Sequence, residues 1–123
     1  MVVYWARFWI GDTYCDKVGH TKWPNPLKRF ESDEYKIFTK IEILDKITLS
    51  HKDAIVARTA AKMCEQCIRA FFPKNFTLEE HFNQPQKTFD GLSGITEMFI
   101  IHNMDEFKKV FNTIKQNAWK AIA

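Results

Sequence analysis

YCDKVGHTKWPNPLKRF, residues 14–30, is the stretch on which the reading of the fold turns. It opens as a strand ending in Val18-Gly19. Trp23-Pro24-Asn25-Pro26 breaks that strand, because proline removes a ladder donor and restrains the residue before it. Asn25 then stands as an N-cap with Pro26 in the first turn, so a short basic helix is expected over residues 27–32. A glycine at a strand end leaves no Cβ in the way of an approaching phosphate backbone. Arg29, one loop later, offers a planar fork suited to phosphate oxygens. Together they point to phosphodiester chemistry, although each feature alone is common.

Working outward, residues 2–9, VVYWARFW, are dense in β-branched and aromatic side chains and read as a strand. Gly11-Asp12 is a turn signal, so residues 2–9 and 14–19 form a hairpin. Residues 35–44, YKIFTKIEIL, alternate: Ile37, Thr39, Ile41 and Ile43 point one way, Phe38, Lys40, Glu42 and Leu44 the other. That predicts a third strand with one buried face. Ser50 to Asp53 resembles a capping pattern, and a helix is expected over 51–72, with Pro73 ending it. Its apolar side collects Ala54, Ala57, Ala61, Cys64, Ile68 and Phe72. A short helix is expected over 77–82, a loop over 83–94, and a short strand or helix start over 96–101. A final helix spans 103–121, with Phe107, Phe111, Ile114 and Ala118 as its stripe.

At 123 residues, 46% of them hydrophobic and eleven of them phenylalanine, the chain fits one domain over 1–123 with a real core. The fold class expected is α/β (α+β): a small, mainly antiparallel three-stranded sheet flanked by helices. No basic segment followed by an apolar run marks a secretory leader, and no apolar run is long enough to span a bilayer. Three cysteines without framework spacing fit a reducing compartment, so a cytoplasmic protein without membrane association is expected. Cys64 and Cys67 form a mid-helix CxxC with no second pair, which is ordinary helix packing more than zinc. The net charge is only +3, but it is unevenly spread. Residues 1–30 hold five Lys/Arg (Arg7, Lys17, Lys22, Lys28, Arg29) against Asp12 and Asp16; the rest holds thirteen of each sign. The excess lies in the segment that carries the glycine and arginine, as a phosphate-facing patch would.

The order of these features is a tyrosine on the first strand, a glycine on the second, an arginine after the loop and a glutamate on a later helix. It resembles the GIY-YIG nuclease superfamily over roughly residues 2–76. VVY stands for the first motif and KVG for the second. The spelling KVGHT followed by KRF is most similar to phage-borne and mobile-element branches. GITEMF, residues 94–99, is faintly similar to a late Glu-x-Phe element of some branches. The resemblance implies a metal-dependent DNA endonuclease, with Mg²⁺ or Mn²⁺ on Glu65, Arg29 stabilising charge on the attacked phosphate, and Tyr4 positioning or deprotonating the nucleophile. Gly19, Lys22, Lys28 and Arg29 would then face DNA. Asn75 is similar to an asparagine that follows the family's helix.

The residues themselves leave alternatives open. Glu65 lies at the border of its helix's apolar face, where an i,i+4 ion pair with Arg69 is the ordinary reading. Glu97 is a later rival as metal ligand. Lys17 replaces the second motif's tyrosine; it would bring charge to phosphate, or act as a base if its pKa were lowered. Tyr14, three residues earlier, falls on the opposite strand face. His20 would orient water or contact phosphate, although a lone loop histidine is commonly incidental. The alternative function is a non-catalytic DNA- or protein-binding module on the same fold.

Overall fold

A computed structural model describes residues 1–72, 76–92 and 97–121, with Ala121 described by its backbone alone. Pro73 and Asn75, and residues 94–96 of GITEMF, lie outside the described residues. The hairpin is the centre of the molecule. Val2–Ile10 (β1) and Thr13–Thr21 (β2) pair antiparallel without interruption, from Val2↔Thr21 to Ile10↔Thr13. Gly11 takes φ 61° in the two-residue turn, where a side chain would be strained. Lys40–Thr48 (β3) adds to the free side of β1, and Met98–Phe99 (β4) to β2.

The architecture is mixed α/β, with a four-stranded antiparallel sheet ordered β3-β1-β2-β4. Three α-helices stand among the described residues: Ala54–Phe71 (α1), Leu78–Phe82 (α2) and Met104–Asn117 (α3). The sheet has one strand more than the three expected, because β4 is two residues long and too short for an alternation to register. No helix among the described residues is long and apolar enough to cross a membrane.

Both faces of the hairpin are buried, which is why its alternation is imperfect. Val3, Trp5 and Val18 pack on one face with Ala60, Ala61, Cys64 and Ile68 of α1 and Phe107 and Phe111 of α3. Tyr4, Ala6, Phe8 and Cys15 pack on the other, under Phe30, Tyr35, Phe38, Leu78, Phe82 and Phe89. The phenylalanines divide between two cores, and ring pairs such as Phe8–Phe30 at 5.0 Å and Trp5–Phe107 at 4.6 Å knit each. Asp16 is buried on the α1 face and fully engaged: Trp5 Nε1 donates to it at 2.9 Å, and Arg7 donates through Nε at 2.8 Å and Nη2 at 3.0 Å. Arg7 therefore adds nothing to a phosphate patch.

The third strand begins later than its sequence pattern predicts. Asp33–Tyr35 forms a 3₁₀ turn, and Tyr35 and Phe38 turn inward to the aromatic core. The pairing passes from Ala6↔Ile43 to Trp5↔Asp45, leaving Leu44 as a bulge that breaks the expected alternation. The short basic helix is a 3₁₀ turn, Pro26–Phe30, capped by Asn25, whose Oδ1 accepts from Leu27 N at 3.1 Å. Asp53, not Ser50, caps α1, accepting from Ile55 N at 2.9 Å. The loop expected over 83–94 contains a 3₁₀ turn, Gln86–Phe89, that buries Phe89.

Candidate functional site

The site grows from the register Tyr4↔Gly19. The tip of the Tyr4 ring sits against Gly19: a Cβ there would collide with the Tyr4 hydroxyl and come within 2.7 Å of Cζ. The space is taken by the phenol, and a glycine is needed because Tyr4 is there. Tyr4 is buried, with Phe30 edge-on at 5.5 Å. Its hydroxyl makes no hydrogen bond among the described residues, and none of their buried side-chain oxygens is left unpartnered. Burial raises the phenol's pKa well above its ordinary value, and Arg29 offsets this only in part. A phenol raised in this way is protonated at neutral pH and has a hydrogen to donate.

Lys17, opposite Ala6, sits on the same face and is buried against Tyr4 and Phe30, its Nζ 5.9 Å and 5.7 Å from their ring centres. Its ammonium meets Glu97 Oε2 at 3.4 Å. Glu97 immediately precedes β4, which pairs with Lys17 and Asp16. From Glu97 the chain of charges continues around the end of β4 to the α1 face. Arg69 Nη1 reaches Glu97 Oε1 at 3.7 Å and Glu65 Oε1 at 3.4 Å. Glu65, 4% exposed, holds His20 Nδ1 with its other oxygen, Oε2. His20 is thus no incidental loop histidine. A carboxylate on Nδ1 selects the tautomer that leaves Nε2 as proton acceptor, and Nε2 has no partner among the described residues.

Arg29 is exposed on the Pro26–Phe30 turn and makes no ion pair among the described residues. Its charge nevertheless acts on both Tyr4 and Lys17, as do those of Glu65 and Glu97. Contacts therefore link Tyr4, Lys17, Glu97, Arg69, Glu65 and His20, while Arg29 joins them through its charge alone. The basic patch is smaller than expected: Lys17 is buried and paired, leaving Lys22, Lys28 and Arg29. Arg69 is the member that sequence reasoning saw only as a helix ion-pair partner. Its reach to Glu97 depends on β4 and has no local sequence signal.

Burial lowers the pKa of Lys17, and Glu97 pulls it partly back. The unfolded chain then holds more protons at this position, so stability rises with pH as the folded-state amine titrates. Lys17→Met is accordingly expected to match the parent at neutral pH or exceed it by about 1 kcal/mol, since half-exposed Glu97 rehydrates. That advantage is full below the lowered Lys17 pKa and vanishes above the ordinary value of 10.5. Thermal melts across this range check it. A variant that melts several degrees lower at neutral pH would mean the Lys17–Glu97 pair is net stabilising.

Glu65 also fits a divalent cation. Mg²⁺ commonly takes one or two carboxylates and completes its shell with water and phosphate oxygens. Oε2 is committed to His20, but Oε1 has only the long 3.4 Å contact with Arg69, which has Glu97 as a second partner. Oε1 is thus the less committed oxygen, although the side chain is buried. No group of three or more His, Cys, Asp or Glu side chains is gathered for one among the described residues, so substrate would supply the remaining ligands. Compared with protein-family models, curated proteins and solved structures, the chain matches none.

Proposed function

We propose that the chain is a GIY-YIG-like, metal-dependent endonuclease that hydrolyses phosphodiester bonds in DNA. The observation that supports this reading is the chain of ion pairs that runs from Lys17, against the Tyr4 ring, through Glu97 and Arg69 to the Glu65–His20 pair. In this reading His20 Nε2 accepts a proton from the attacking water, with Glu65 holding the ring in the required tautomer. Tyr4 donates its hydroxyl to a phosphate oxygen, and Arg29 meets the charge that develops on the phosphorane. Mg²⁺ or Mn²⁺ on Glu65 Oε1 would supply Lewis-acid stabilisation of the phosphate and its leaving oxygen. Lys17, with its amine on Glu97, sets the local field and positions Tyr4, which accommodates the loss of the second motif's tyrosine.

Arg29 provides the test. Arg29→Ala is expected to slow cleavage about a hundredfold or more and to weaken DNA binding by less, because its charge is worth most in the transition state. Single-turnover rates and affinities measure both. Equal losses in rate and affinity would make Arg29 a binding residue only. A second reading, a DNA-binding module that does not cut, is favoured by one observation: Glu65 is buried and has partners on both oxygens. A phage or mobile-element setting and a cytoplasmic location belong to this proposal as well.

A further inference from the structure

Trp23 is not absorbed by the cleavage chemistry. It is 42% exposed in a chain whose other aromatics mostly fill two cores. Two cations stand over its ring, Lys22 Nζ at 5.2 Å and Lys28 Nζ at 5.7 Å from the centroid. Its backbone is held: Trp23 N donates to Thr21 Oγ1 at 3.3 Å, and Lys46 Nζ donates to Pro24 O at 3.5 Å. The next turn is fixed by the Asn25 cap. An indole flanked by ammonium groups on a braced loop matches what single strands require, a π-face for a base and cations for the phosphates on either side.

The platform is joined to the site at both ends. Lys22 lies two residues after His20, and Lys28 immediately precedes Arg29. Trp23 stands three positions after His20, at most about 10 Å of backbone. Between the two backbone positions that is about three steps of a DNA strand, each about 3.4 Å.

We propose that Trp23, with Lys22 and Lys28, stacks an unpaired base next to the scissile phosphate, so that the preferred ligand is DNA with single-stranded character there. This rests on the nucleic-acid reading of the site and adds the class of substrate to it. A continuous duplex has no free base face to give the indole and would gain from the lysines alone.

The test is fluorescence anisotropy with a labelled single-stranded oligonucleotide and a blunt duplex of the same sequence, with chelator present so that nothing is cut. The parent is expected to bind the single strand more tightly. Trp23→Ala should weaken single-strand binding at least about fivefold and leave the duplex nearly unchanged, while Trp23→Phe, which keeps a ring, retains most of the affinity. Lys22→Ala and Lys28→Ala should each lower the salt slope by about one for both ligands. Trp23→Ala that weakens neither ligand, or both alike, overturns the proposal. If the parent cuts DNA without any dependence on Trp23, the platform fails and the nuclease reading stands. If it never cuts but binds single strands through Trp23, the nuclease reading fails and the platform stands. A parent that binds no DNA at low salt removes both.

Discussion

Glu65→Gln is expected to lose about a thousandfold or more in cleavage rate while binding DNA as tightly as the parent or more so. The amide keeps an oxygen to accept from His20 Nδ1, so the ring's orientation survives. What is lost is the negative charge that Oε1 offers a divalent cation. Removing a carboxylate beside a phosphate also lessens repulsion, and Arg29, Lys22 and Lys28 remain to bind. The stability cost follows from the surroundings. Glu65 is buried, but Arg69 and His20 keep 35% and 31% of their side chains exposed and can rehydrate. A loss of about 1–2 kcal/mol, a few degrees in Tm, is expected. Rates, affinities and melts on the same preparation separate the two effects. A Glu65→Gln protein with parental rate would reduce Glu65 to a structural partner and return attention to Glu97.

Gly19→Ala is expected to be the most damaging conservative change outside the charged cluster. The new methyl would overlap the Tyr4 hydroxyl and Cζ. Tyr4 cannot swing away freely, because it is 1% exposed and wedged by Phe30. Overpacking of this kind costs about 1–3 kcal/mol, or roughly 4–10 °C in a domain of this size. The same shift would move the hydroxyl that the proposed mechanism aims at phosphate. The collision predicts its own rescue. In a Tyr4→Leu background the methyl meets no ring, so Gly19→Ala should cost much less there. Melting temperatures of the two single variants and the double variant decide it. Additive losses would show that the glycine is not answering to the tyrosine.

The hairpin and the two long helices were legible because their signals are local: β-branched and aromatic density over residues 2–9, Gly11-Asp12, and apolar stripes in α1 and α3. The contact between Tyr4 and Gly19 was also within reach. A two-residue turn at Gly11-Asp12 sets Ile10 opposite Thr13, and stepping back along both strands sets Tyr4 opposite Gly19. The close approach of the phenol to the glycine follows from that register, not from either residue's local pattern. The late start of β3 was hidden by a fair alternation over 35–44, which Tyr35 and Phe38 leave to fill the aromatic core. The Glu65–His20 pair and the Lys17–Glu97–Arg69 chain were not legible. Each depends on where α1 and β4 settle against β2, and neither position has a spacing in sequence.

The activity proposed for the protein is cleavage at the cluster around Tyr4 and Glu65. Its most direct measurement is the conversion of supercoiled plasmid to nicked and linear forms. Parent and Glu65→Gln proteins should be run side by side with Mg²⁺, with Mn²⁺ and with chelator. Nicking by the parent only when metal is present, and none by the variant at matched DNA binding, is the predicted result. A parent that binds the plasmid and never nicks it with either metal would contradict the claim and leave a binding module in its place.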